Sequence, residues 1–545
     1  MSENIDPNVS ENKQIQLQNT FLKESNFSIH KVLQESSSNN LDESFETRNI
    51  FLKDANFPNN SNNKTNNSTE GNSELKTSEN SNKNELLPSQ ENIQKIEFKD
   101  EKIDENSETS SDGEGYRKNH SKADITSRRW QKKKKHYFIL STAGKPIYSR
   151  YGDESKLSSF MGIIQAIVST VSNLQDEIKS MKIGNRNFVF LLREPLYLVL
   201  SSTEKETEMQ LVSELEYIYD QVLCILTYTQ LSRIFEVHGN FDLRRLLGGT
   251  ENIIDNLIDR MQYDPCFFLG SLESLPMSYL EREKIGNALI EKHPKSLLFG
   301  FITYKFEIVN LVRHHKINLH PSDLMILFNM AQSSTSMSAN EVWTPFCFPR
   351  FNKNGFLFVY ISSLAENINL FLVATERDKF YELFEHKNTI KTYMDKYGCF
   401  EKLSSCIKTD HIDNISKNIK LDNVKFISFK SKKYVQHINF IGKKMKGTKT
   451  NTIEGELLKI TKMFRYCRKN FVSTENSLTE EPIKLNYMST SFEHILAWNT
   501  VDFEMYAAFD LTKSIDNAID TINLFVRHIK RNTEFYFVTN PPSLK

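Results

Sequence analysis

The chain of 545 residues predicts an α+β fold repeated three times, each copy an antiparallel sheet with helices packed on it, behind an unstructured N-terminal tail. Three observations carry that expectation. Asn and Ser fill 38 of the first 115 residues, a composition that cannot bury enough apolar surface to offset chain entropy. Order then begins abruptly at Tyr137. From there one succession recurs three times: two strands, a helix, two or three strands, a helix. Each pass is roughly 110–130 residues long, an ordinary single-domain size.

The first pass opens with YFIL, the turn STAGKP and IYSRYG, a hairpin. Between Leu157 and Met181 apolar residues recur at helical spacing and predict one long amphipathic helix. NFVFLLR and LYLVLSS follow as strands broken at Arg193-Glu194-Pro195, and 207–235 predicts a second long helix. That helix is apolar nearly all round from Tyr217 to Leu231, so it must be buried on more than one side. Thr250 is placed to cap a further helix carrying Ile253, Ile254, Leu257 and Met261.

The second pass reads SLLFGFITY and FEIVNLVRHH as a hairpin, and HPSDLMILFNM as a helix with Pro321 in its first turn. VWTPFCFPRF, GFLFVYISSL and INLFLVAT follow as strands, then a helix over 377–396. The third pass runs through KFISFK, YVQHINFIG, a helix over 452–469, the strands IKLNYMST, HILAWNT and FEMYAAFD, and a helix over 513–530, with EFYFVT closing it. The expected units are a disordered acidic tail 1–115, a basic linker 116–135, and domains 136–262, 263–405 and 406–545.

Lys plus Arg and Asp plus Glu are 69 each, and the balance hides an asymmetry. The tail 1–115 has 11 Lys/Arg against 22 Asp/Glu, net −11, whereas 117–135 (RKNHSKADITSRRWQKKKK) is net +8. No window approaches the roughly 18 unbroken apolar residues of a membrane span, and MSENIDPNVS has no signal-peptide character. Six cysteines, none in CxxC spacing, predict a reducing compartment with neither a disulfide framework nor a zinc site. A cytosolic protein is the expected class.

No nucleotide or covalent chemistry is legible. Gly144-Lys145 is followed by Pro146 and lacks the upstream glycine of a phosphate loop, and GxGxxG, GxSxG and HExxH are absent. His314-His315 and Asp410-His411 are isolated pairs without partners at metal-ligand spacing. The expectation is a binding or regulatory module that is no enzyme and needs no cofactor or metal.

HYFILSTAGKPIYSRYGDESKLSSFMGIIQAIVS closely resembles the opening of the first domain of the SAND family, the Mon-one vacuolar-fusion proteins. The resemblance continues in ELEYIYDQVLCILTYTQLSRIFE, NFDLRRLLGGTENIIDNLI, LHPSDLMILFN, EVWTPFCFPRFNKNGF and HILAWNTVDFEMYAAFD, in family order over about 400 residues, and leaves out the tail. It implies that the three units are longin domains. It further implies a second three-longin subunit, Ccz-one, with which the chain forms a guanine-nucleotide exchange factor for a Rab-seven-type GTPase. The setting it implies is endosome-to-vacuole (lysosome) maturation, membrane fusion and autophagy, with cytosolic protein recruited peripherally to the late endosomal or vacuolar membrane. The alternative from another class is a longin-type vesicle adaptor or tether without exchange activity. RNA binding, raised by KKKK, lacks any supporting motif, so no nucleic-acid partner is expected.

Candidate contacts follow. Opposite the expected core stripe of the first long helix (Phe160, Ile164, Ile167, Val168, Val171, Ile178) lie Ser158, Ser159, Gly162, Gln165, Ala166, Ser169 and Asn173. A merely solvated face is normally rich in Lys and Glu, whereas these short side chains permit close backbone approach. They are read as a Rab or partner surface, against the alternative that another helix of the same chain covers them. Lys132, Lys133, Lys134 and Lys135, beside Trp130, are read as a contact for anionic membranes, with a cover for the acidic tail and a plain linker as alternatives. Lys430, Lys432, Lys433, Lys443, Lys444 and Lys446 form a basic cluster consistent with phosphoinositides. Trp343 and Phe346 are candidate contacts for an upstream, Rab-five-type GTPase, with burial in a strand as the competing explanation.

Overall fold

A computed structural model describes residues 94–97, 128–239, 241–333, 341–408, 421, 423–442, 445, 450–475, 484–490, 492–512 and 514–544. It contains three mixed α/β domains, and all three sheets are built in one order. In the first domain, Lys135–Ser141 pairs with Pro146–Ser149 on one side and Leu196–Ser202 on the other, followed by Arg186–Arg193 and the edge strand Ser180–Ile183. Numbered by position within the domain, the order is 2-1-5-4-3. The strands Leu297–Tyr304, Glu307–His314, Glu341–Phe348, Lys353–Ala365 and Ile368–Ala374 repeat it, and so do Val424–Ser431, Gln436–Ile441, Leu485–Ser489, Glu493–Asn499 and Phe503–Asp510. These five-stranded ladders are antiparallel throughout, as the short connections and alternating apolar residues require.

In the first domain, strands two and three are joined by helix α1 (Ser158–Asn173). After strand five come α2 (Glu208–Ile225), α3 (Tyr228–Val237) and α4 (Glu251–Tyr263). The second domain is preceded by α5 (Tyr279–Ile290), carries α6 (Pro321–Ser333) between strands two and three, and ends in α7 (Phe380–Lys396) and α8 (Cys399–Lys408). In the third domain α9 (Thr450–Glu475) occupies the corresponding position and α10 (Ile515–Arg531) follows strand five.

Five expectations are corrected. The helix predicted to reach Met181 stops at Asn173: Gln175 turns to φ 59°, and Met181 lies in the edge strand Ser180–Ile183, so Ile178 never joined the helical stripe. The helix predicted over 207–235 is two helices, because Thr227 adopts an extended ψ and its side chain caps α3 by accepting from Gln230 N. Thr250 precedes α4 but does not cap it; its hydroxyl donates to Leu247 O at 2.6 Å. EFYFVT is no strand: Thr533–Tyr536 is a helical turn, and the chain ends in Ser543–Leu544, paired parallel to the second domain's Glu307–His314. Gln94–Glu97, inside the tail expected to be unstructured, forms a parallel edge strand on Leu485–Ser489.

The domains are fastened by their helices. α2 is buried on several sides, with Leu211, Leu215, Ile218, Val222 and Leu223 in one continuous apolar cluster that also takes in Leu324 and Leu327 of α6 and Ile254 and Leu257 of α4. The all-round hydrophobicity of the 207–235 segment is thus satisfied within the chain, by the second domain, and does not call for a second subunit. The segment after α4 passes beneath the third domain, where Leu272–Glu273 pairs parallel to Gln436–Ile441.

Candidate functional site

The three helices that join strands two and three occupy equivalent positions and have unequal cover. In α6 every residue from Pro321 to Met330 is buried. α9 lays Phe464, Cys467 and Phe471 on its own sheet and turns Thr461 and Arg465 to the first domain, where Thr461 donates to Tyr263 O at 3.2 Å. α1 is different. Met161, Ile164 and Val168 are buried against Phe138, Leu140, Phe190 and Val199, Phe160, Ile167 and Val171 are half-buried beside them, and the opposite face looks outward. Ser158, Ser159, Gly162, Ala166, Ser169 and Asn173 are exposed and Gln165 is half-buried, so no other helix of the described chain covers this face.

The exposed face of α1 is chemically unusual. Its sixteen residues, SSFMGIIQAIVSTVSN, include no charged side chain. A Cβ built on Gly162 would meet no atom within 4 Å, so a partner backbone can approach closely there. The polar groups are partly turned back on the helix: Gln165 Nε2 donates to Ser169 Oγ at 3.2 Å, and Thr170 Oγ1 to Ala166 O at 2.7 Å. Covering such a face costs little desolvation, since no ion must leave water. Beside it, Ile163 is 58% exposed and Leu174 76% exposed. The edge strand Ser180–Ile183 pairs only with Arg186–Arg193 among the described residues.

The basic segment is anchored rather than trailing. Trp130 Nε1 donates to Tyr151 O at 3.0 Å, and its ring lies 4.2 Å from that of His136, in the apolar cluster that also holds Phe160 of α1. Arg186 Nη2 donates to Lys133 O at 3.0 Å, leaving Lys132, Lys133 and Lys134 exposed beside α1. Lys135 is a correction. It is 7% exposed, and its ammonium donates to Glu214 Oε1 at 2.9 Å and pairs with Glu206, so it is not a membrane contact. Lys430 is likewise withdrawn: it is half-buried, and its Nζ donates to Leu269 O at 2.6 Å. Lys432 is half-buried and Lys433 exposed, whereas Lys443, Lys444 and Lys446 lie outside the described residues. Phe346 is fully buried against Phe348, so it is no surface contact. Trp343 is half-buried, stacked on Phe358 at 5.6 Å, and its Nε1 donates to Arg377 O at 3.2 Å.

What sequence reasoning missed is the charged seam that fixes the first domain against the other two. Arg465 of α9 reaches Glu214 Oε1 at 2.8 Å and Glu206 Oε1 at 3.1 Å, and Tyr137 OH donates to Glu214 Oε2 at 2.6 Å. Burial works against the Lys135 charge, yet Glu214 and Glu206 outweigh it and raise its pKa; burial likewise opposes the Glu214 charge, but Lys135 and Arg465 hold its pKa low. On the second domain's side, Arg350 Nε donates to Asp220 Oδ2 at 2.7 Å, and the Arg350 and Phe351 amides donate to Asp323 at 3.0 Å each. Burial pushes Asp220 up to about 6 and Asp323 up to about 7. Only residues distant in sequence meet here, so no local motif could have shown it.

Residues 135–257 match the profile for the first longin domain of FUZ, MON1 and HPS1, and residues 295–391 match the profile for the second. The chain is therefore a longin-domain protein, and its third domain shares the 2-1-5-4-3 strand order of the two matched domains. It is 34% identical over 420 residues to "Vacuolar fusion protein MON1 homolog A" of Gallus gallus, covering 77% of this chain and 74% of the relative. With the Homo sapiens protein of the same name it shares 33% over 414 residues, 76% of this chain and 62% of the relative. With the Arabidopsis thaliana "Vacuolar fusion protein MON1 homolog" it shares 39% over 266 residues, 49% of this chain and 44% of the relative. The chain belongs to the MON1 family, also represented by the "Protein SAND" of Takifugu rubripes.

Proposed function

We propose that this chain acts in membrane trafficking at the vacuole or lysosome as one half of a guanine-nucleotide exchange factor for a Rab-seven-type GTPase. The other half in this reading is a Ccz-one-like subunit with three longin domains. The relatives' names, vacuolar fusion proteins, support the trafficking role. The observation that carries the finer reading is the bare, uncharged face of α1, in a chain that buries the equivalent α6 from Pro321 to Met330 and turns part of α9 against the first domain.

Exchange needs no reacting side chain. A small GTPase holds its nucleotide with nanomolar affinity or tighter, about −12 kcal/mol. A factor that prefers the nucleotide-free state weakens nucleotide binding by the same factor, by linkage. The GTPase switch loops belong to the order–disorder class of bistable elements, and a surface that levers them away from the nucleotide must be rigid. α1 suits this, because Met161, Ile164 and Val168 lock it to the sheet while Gly162 and Ala166 leave its outer side low. The exposed Lys132, Lys133 and Lys134 beside it, with Lys432 and Lys433 on the third domain, suit an anionic or phosphoinositide membrane. The half-exposed Trp343 is the remaining candidate contact for a Rab-five-type GTPase.

The test is release of a fluorescent nucleotide from a Rab-seven-type GTPase, by the chain alone and co-expressed with the second longin subunit. The reading expects acceleration by the pair only. A stoichiometric pair without acceleration would favour the adaptor or tether.

A further inference from the structure

Three side chains that the trafficking reading does not use converge where the three domains meet. Cys266 lies in the turn Pro265–Leu269 after α4, where Asp264 Oδ1 accepts from its backbone N–H at 2.9 Å. Glu273 lies in the short strand Leu272–Glu273, and His437 is its direct cross-strand partner in the third domain's sheet. The ligand atoms of all three fall within 4.8 Å of one another, with Cys266 Sγ 3.8 Å from His437 Nε2. Zinc–ligand bonds of about 2.0–2.3 Å at tetrahedral angles put neighbouring donor atoms about 3.5 Å apart, so the Cys266–His437 pair needs a few tenths of an ångström to close on an ion and the Glu273 side chain about 1 Å at most.

The hydrogen bonds around the cluster are independent of that spacing. His437 Nδ1 lies 3.0 Å from Ser271 Oγ, the outer partner that fixes a ligating imidazole with its Nε2 lone pair toward the metal. Glu273 accepts from Asn439 Nδ2 at 2.8 Å, which holds its carboxyl group in place beside His437.

We infer that Cys266, Glu273 and His437 form a zinc-type site that pins the linker between the first two domains to the third. Binding forms a sulfur–metal bond as the Cys266 thiol releases its proton to solvent, and a water completes the tetrahedron. The role is structural, since the ligands join Leu272–Glu273 to the third domain's Gln436–Ile441.

The full chain, tag-free and with any partner that co-purifies, is dialysed against chelator and titrated with Co²⁺ alone. Expected are a thiolate-to-cobalt charge-transfer band saturating at one ion per chain, its displacement by Zn²⁺, and a thermal transition raised by Zn²⁺. Cys266→Ser should abolish the band, His437→Gln should weaken binding at least about 100-fold, and Cys467→Ser, at a buried cysteine elsewhere, should leave both unchanged. The wild-type spectrum decides even if a variant fails to fold. No band in the folded wild-type chain, or a band that survives in folded Cys266→Ser, would overturn the site.

Discussion

Helices α1 and α6 hold the same place in their domains, between strands two and three of sheets with one strand order, yet they meet opposite fates. α6 is apolar around most of its girth and is sealed between its own sheet and α2 and α4 of the first domain. Its one acid, Asp323, is buried and bound by two backbone amides. α1 has one apolar stripe on its sheet and an outer face of serines, alanine and glycine that no other helix of the described chain covers. One topology can therefore serve as internal glue or as external surface, and the composition of the outer face decides which.

That contrast can be broken first at the glue. Glu214→Gln removes one of the two carboxylates that Lys135 and Arg465 share, Glu206 being the other, and should destabilise the chain by about 1–3 kcal/mol in denaturant unfolding. A loss below about 0.5 kcal/mol would mean that the seam is solvated and the domains are only loosely joined. On the bare side, Lys132, Lys133 and Lys134 replaced together by alanine should lose up to about 1 kcal/mol of anionic-liposome affinity per residue, shrinking as salt rises. Unchanged sedimentation with liposomes at low salt would return the segment to an ordinary surface loop.

A smaller effect sharpens the glue further. Burial holds Asp323 near 7, above an unfolded value near 3.8, so the folded state keeps a proton that the unfolded state has released. Its contribution is full at low pH and lost as pH rises through about 7: between pH 6.5 and 8 stability should fall by roughly 0.8 kcal/mol. Asp323→Asn should remove that share of the slope in thermal unfolding, leaving the share from Glu307, which burial also pushes up to about 7. His320 and His386, held neutral by burial at about 4, act in the opposite direction below pH 6.5, outside this window.

The repeated architecture was legible because alternating strands and 3.6-residue periodicity are local signals. So was the outer face of α1, since the absence of charge over sixteen residues is visible without coordinates. The misreadings have local physical causes. Thr227 with Gln230 repeats the spacing of the Thr207–Gln210 capping box that starts α2, and continuous hydrophobicity masked it as a break. Met181 extends the helical spacing by coincidence, on an edge strand. Lys135 reads as the last of four surface lysines until strand Lys135–Ser141 turns it inward to Glu214, and only the fold supplies that acid. The Cys266–His437 approach spans 171 residues, so spacing rules for metal ligands could not find it.

The central claim, that α1 presents a docking surface, is tested most directly by Gly162→Lys combined with Ala166→Lys. Both positions are exposed, so each should change stability by no more than about 0.5 kcal/mol and the thermal transition should stay intact. A bulky cation on this low, uncharged face should nonetheless abolish acceleration of nucleotide release by the co-expressed pair. If the second subunit still co-purifies, the face meets the GTPase; if it is lost, the face is the subunit seam. Normal release by a folded double variant, with the partner retained, would contradict the account and leave α1 as ordinary solvent-exposed surface.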